Sequence, residues 1–102
     1  MWEIAMDVEK IFGEVLKQNR NAQSLSQEEL AHLSDLDRTY ISMLERGKRQ
    51  PSLKTIFLLA STLNILPSEI MIKVESLIVS RKLIFRISSS LSTRAFIVSP
   101  LK

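Results

Sequence analysis

The sequence predicts an all-α fold of five helices, followed by a C-terminal extension that forms either a β-hairpin or an extended helix. Two observations carry that prediction. Large apolar residues recur at i, i+3, i+4 and i+7 through most of the chain, the spacing that lines one face of a helix. Polar start signals and residues suited to helix ends punctuate these runs, so each helix is closed off before the next begins.

Ile4, Val8, Ile11, Phe12, Val15 and Leu16 predict one amphipathic helix over 4–20, stopping at Asn19-Arg20-Asn21, with Trp2 packed at its edge. Ser26-Gln27-Glu28-Glu29 matches a capping box, in which the Ser26 hydroxyl accepts from the Glu29 amide and the Glu29 carboxylate accepts from the Ser26 amide. A second helix therefore starts there and runs through Leu30, Ala31 and Leu33 to Ser34, with Asp35 in a left-handed turn at some steric cost. Asp37 caps a third helix whose Ile41 and Leu44 face inward with Leu36, and Gly47 ends it. At about 100° per residue, Thr39, Ser42, Met43 and Arg46 fall opposite Ile41 and project outward.

Pro51-Ser52 opens a fourth helix with Leu53, Ile56, Leu59, Ala60 and Leu63 as its buried stripe and Asn64 as its left-handed end. The fifth begins at Pro67, which has no amide proton to leave unpaired, with Glu69 where the helix dipole favours an acid, and is expected to reach about Ser80. Leu77–Ile87 and Thr93–Val98 are rich in Ile, Val, Leu and Phe around the serine-rich 88–92 stretch, which allows two strands of a hairpin, a continued helix or disorder.

Composition removes most enzyme classes. With 102 residues the chain is one domain plus an appendage, and with no cysteine it has no disulfide, thiolate nucleophile or zinc ribbon. Gly13 and Gly47 stand too far apart to build a phosphate-cradling loop, and the single histidine, His32, cannot make a two-histidine zinc site. His32 reads as a solvated helix residue beside Glu28 and Glu29. No catalysis, metal or cofactor is expected. Glu3, Asp7 and Glu9 oppose a secretory start, and no uncharged apolar run reaches the roughly 18 residues of a membrane span, so a soluble cytoplasmic protein is expected.

The net charge of +3 is unevenly spread. All 11 acids and nine of the bases lie in residues 1–75, whereas 76–102 hold five bases and no acid. Within the acidic part, the window from Arg38 to Lys54 carries five bases against the single acid Glu45. Two short helices joined by a tight turn, the second with an exposed polar face and a basic loop after it, have the geometry of a helix-turn-helix. A helix of about 10–12 Å diameter fills the DNA major groove, and flanking phosphates call for cations. Arg46, Lys48, Arg49 and Lys54 supply them.

The runs Leu25-Ser26-Gln27-Glu28-Glu29-Leu30-Ala31, Leu36-Asp37-Arg38-Thr39-Tyr40-Ile41-Ser42 and Leu44-Glu45-Arg46-Gly47-Lys48-Arg49-Gln50-Pro51-Ser52-Leu53 resemble the XRE (Cro and phage-repressor) helix-turn-helix family over roughly residues 10–72. The middle run is similar to the controller proteins of restriction-modification systems. The resemblance implies a lambda-repressor-like five-helix domain that binds double-stranded DNA. It implies that Gln27 anchors the second helix on a phosphate and braces the recognition helix, and that Arg38, Thr39 and Met43 meet base edges. Tyr40, Ser42, Arg46, Lys48 and Arg49 would then contact the backbone, and Arg20 would pair with Glu45. Asp35 and Asn64 stand where the family usually has Gly, and Leu66 where it usually has a capping Ser.

These readings predict a helix-turn-helix domain over 1–75 and an oligomerisation segment over 76–102 that pairs with a second copy, Val79 and Phe85 being its foremost side chains. The function expected is that of a homodimeric, sequence-specific regulator of transcription on an inverted-repeat operator, as a restriction-modification controller or phage-type repressor. The alternative is an antitoxin-like component whose tail binds a partner protein, a toxin, while the helix-turn-helix represses the operon. A membrane-surface role for the tail is weak, because its bases are scattered.

Overall fold

Five capping events set the architecture. The computed structural model describes residues 7–89, and over them the order is α1 (Val8–Ala22), α2 (Gln27–Ser34), α3 (Arg38–Glu45), α4 (Leu53–Thr62) and α5 (Pro67–Ser89). Asp7 caps α1, Ser26 and Glu29 form the full reciprocal capping box of α2, Asp37 caps α3 through the Thr39 amide, and Ser52 caps α4 through the Thr55 amide. Before α5, where a capping serine is missing, the Leu66 amide donates to the Glu69 carboxylate at 2.7 Å. Half of a capping box suffices there because Pro67 removes one orphan amide.

The helix ends depend on left-handed residues. Ser24, Asp35 and Asn64 have φ of 58°, 59° and 59°. After each, the next amide reaches back to a carbonyl of the closing turn, as Leu36 does to Ala31 and Ile65 to Ala60, both at 2.9 Å. These bonds satisfy carbonyls that the helix itself leaves open.

One core joins all five helices. Ile11, Phe12, Val15 and Leu16 of α1 meet Leu30 and Ala31 of α2, Ile41 and Leu44 of α3, Leu59 and Ala60 of α4, Leu63 just beyond it, and Ile70, Val74 and Ile78 of α5. The helix α1 packs on both α3 and α5, while α4 packs on α2 and α5.

Two expectations are corrected. Leu53 is 72% exposed, because at the first position of α4 it lies beyond the edge of the core that Leu59, Ala60 and Leu63 fill. The fifth helix does not stop near Ser80 but continues to Ser89, so over Leu77–Ile87 the continued helix, and not the alternative strand, is found. Ile70, Val74 and Ile78 are four residues apart and keep one face on the core, and that burial overrides the strand preference of a run rich in β-branched residues. The second candidate strand, Thr93–Val98, lies outside the described residues, as do Trp2 and Ile4; α1 is described from Val8 and runs on to Ala22. The fifth helix runs unbroken through position 75, with Ile78 buried and Arg81 paired with Glu14 of α1 at 2.8 Å.

Candidate nucleic-acid interface

The outer side of α3 and the loop after it gather the predicted contacts. Arg38 and Thr39 are exposed in the first turn of α3, and Ser42 and Met43 are half-buried one turn on. Arg46, Lys48 and Arg49 are exposed in the loop. Two internal contacts shape these side chains: the Arg46 Nε donates to the Ser42 hydroxyl at 3.3 Å, and the Arg49 guanidinium lies 5.4 Å from the centre of the Tyr40 ring. The second is a cation–π contact, which lowers the freedom of a long side chain while leaving its donors available. Lys54 is exposed on the first turn of α4, apart from these pairs.

Glu45 holds α3 to the rest of the domain. Its carboxylate accepts from Arg20 Nε at 2.6 Å, from Arg20 Nη2 at 2.9 Å and from Gln27 Nε2 at 2.9 Å. Arg20 spends a further donor on the Leu25 carbonyl at 2.8 Å, at the entry to α2. The last turns of α1 and α3 and the first turn of α2 are thereby tied at one buried point. The hydrogen bonds that Arg20 donates to Glu45 raise its guanidinium above its ordinary pKa against the opposing effect of burial. Gln27, at the first residue of α2, faces α3 through this bond.

Gly13 is the residue that sequence reading passed over. It is buried where α1 crosses α3, and a Cβ there would meet the Leu44 carbonyl oxygen and lie 2.5 Å from that of Glu45. A glycine within an otherwise good amphipathic helix was the available signal, since alanine would favour the helix by about 1 kcal/mol. Gly13→Ala is expected to destabilise by about 1–3 kcal/mol in spite of that propensity gain, because backbone lies on both sides of the clash and the two helices must part. A denaturation midpoint equal to or above that of the parent would contradict the close crossing.

A family model described as Helix-turn-helix matches residues 16–70, which run from the second half of α1 through α2, α3 and α4 into the first turn of α5. The chain belongs to the helix-turn-helix family. This helix-turn-helix protein is 46% identical over 59 residues to the control protein C.SmaI of Serratia marcescens, an alignment that covers 58% of this chain and 70% of the relative. It also resembles the crystal structure of the restriction-modification controller protein C.AhdI from Aeromonas hydrophila, with 48% identity and a TM-score of 0.60 over 61% of this chain and 94% of that one. The controller protein C.Esp1396I, solved as a tetramer in complex with its natural 35 base-pair operator, is 30% identical with a TM-score of 0.63, covering 68% of this chain and 91% of that one.

Beyond the helix-turn-helix, apolar side chains lie open on the last two helices. Leu53 and Phe57, one turn apart on α4, are 72% and 55% exposed, and Ile72 and Val79, two turns apart on α5, are 62% and 46% exposed. Leu66 between the helices is 63% exposed. Phe85 lies on the same helix as Val79, its side chain outside what the structure describes. Among the described residues no single helix is long and apolar enough to cross a membrane.

Proposed function

We propose that this protein is a homodimeric, sequence-specific regulator of transcription that binds an inverted-repeat operator as a restriction-modification controller. The observation that carries the reading is α3 itself: a short helix locked from behind by Arg20, Glu45 and Gln27, with Arg38 and Thr39 exposed at its start and Arg46, Lys48 and Arg49 at its end. That arrangement offers base-reading side chains to a major groove and cations to the phosphates beside it. The likeness to named control proteins supports the controller role, and it disfavours the antitoxin alternative. A protein in this role works in the cytoplasm of a bacterium, on DNA and on a second copy of itself.

Residues 1–75 supply the DNA-binding domain in this reading, and 76–102 an oligomerisation segment whose first part shares the domain's core through Ile78. The second copy would cover the outer sides of α4 and α5, where Leu53, Phe57, Ile72 and Val79 are open to water. A two-fold pair would present two α3 helices to half-sites about 34–36 Å apart.

Binding of the gene's own upstream DNA tests the assignment. Arg38→Ala is expected to lower affinity for the operator by about 1–3 kcal/mol while leaving binding to random duplex nearly unchanged. Lys48→Ala should weaken both duplexes alike and flatten the dependence of log affinity on log salt. Equal losses on both duplexes for Arg38→Ala would remove it as a base reader, and salt-independent binding would overturn the DNA reading as a whole.

A further inference from the structure

The basic loop after α3 has a neighbour that the helix-turn-helix pattern does not contain. Gly47 sits in that loop with φ of +73°, and its bare Cα faces the first turn of α1: a Cβ at Gly47 would lie 2.8 Å from Lys10 Cα and 3.1 Å from Lys10 Cβ. Lys10 is therefore packed by its main chain against the segment that carries Arg46, Lys48 and Arg49, while its side chain is exposed.

Acids stand near Lys10 on its own helix: Glu9 precedes it, Asp7 lies one turn before it and Glu14 one turn after it. The Asp7 carboxylate accepts from the Lys10 backbone amide as the cap of α1, and Glu14 pairs with Arg81. Among the described residues the Lys10 ammonium is in no ion pair. Its place in the first turn is also unfavourable to the helix dipole, which prefers an acid there. A fourth cation, in no ion pair among the described residues, is thus brought beside the segment that carries the other three, and such a group of cations attracts an external polyanion.

We propose that Lys10 is a further DNA-backbone contact, extending the phosphate-binding loop onto the first turn of α1. The inference rests on the DNA-binding reading above and adds to it a residue outside the helix-turn-helix. Duplex DNA carries one phosphate charge per about 1.7 Å of axis, so a cation at the edge of the footprint continues to find phosphates, and the flexible lysine stem suits a contact that needs no fixed geometry.

Lys10→Gln in the full chain, measured by salt titration on operator and random duplex, is the test. The expected result is equal weakening on both duplexes, with the slope of log affinity against log salt reduced by about 0.9 per subunit. Lys10→Arg should keep the slope, and the thermal midpoint of Lys10→Gln should equal or slightly exceed that of the parent, because the side chain is exposed and its charge opposes the helix dipole. If Lys48→Ala lowers the slope and Lys10→Gln does not, Lys10 is a solvated lysine and this inference fails while the interface stands. If neither changes the slope, both fall. A loss confined to the operator would also overturn it, because a phosphate contact carries no sequence preference.

Discussion

Glu45→Ala should cost about 3–5 kcal/mol of stability, the largest loss expected from any single polar substitution in this protein. The Glu45 side chain is 3% exposed and that of Arg20 is 9% exposed, so removal of the carboxylate leaves a guanidinium buried with the Leu25 carbonyl as its remaining partner. Arg20 cannot escape by losing its proton: a guanidinium stays charged at any pH a protein survives, and Glu45 holds this one above its usual value. At about 4–8 °C per kcal/mol for a domain near this size, the thermal midpoint should fall by more than ten degrees. Glu45→Gln keeps the shape and one acceptor oxygen, so it should cost less. Pairing Glu45→Leu with Arg20→Met should recover much of the loss, because what destabilises is the charge left alone and not the missing attraction. A Glu45→Ala protein as stable as its parent would show that the buried pair contributes nothing to holding α3.

The same residue separates what the sequence made legible from what it did not. The starts of α2 to α5 were readable because each is decided within about four residues: Ser26 with Glu29, Asp37 with Thr39, Ser52 with Thr55 and Pro67 with Glu69 all act on their own backbone, whereas the Asp7 cap that starts α1 at Val8 was passed over in favour of a start at Ile4. The outward face of α3 was readable as well, since period alone sets Thr39, Ser42, Met43 and Arg46 opposite Ile41.

What escaped depends on partners far along the chain. The demand for glycine at position 13 comes from carbonyls of Leu44 and Glu45, and the approach of Lys10 to Gly47 joins residues 37 positions apart. No local pattern encodes either. In α5 two local signals conflicted: strand-prone side chains over 77–87 against the four-residue spacing of Ile70, Val74 and Ile78. The core that α1 offers decided for the helix, as tertiary burial commonly does over propensity.

Replacing Phe57 and Ile72 together with lysine is expected to turn the protein into a monomer and to reduce operator affinity by about 10²–10⁴-fold, the gain that linking two half-site contacts ordinarily brings. Both side chains are more than half exposed, and a soluble domain leaves such residues open singly far more often than in a series along two adjoining helices. Because both are more than half exposed, the substitutions should leave the fold intact, which the unfolding midpoint of the monomer checks. Like charges brought face to face across a two-fold axis repel, so the effect on association should exceed the mere loss of apolar area. Val79→Lys alone distinguishes the outer face of α4 and α5 from an interface confined to residues 76–102. If Val79→Lys separates the subunits and the Phe57 and Ile72 pair does not, the contact runs along the C-terminal half of α5. If sedimentation finds a dimer for all three substitutions, the second copy sits elsewhere, and these side chains are ordinary exposed apolar groups.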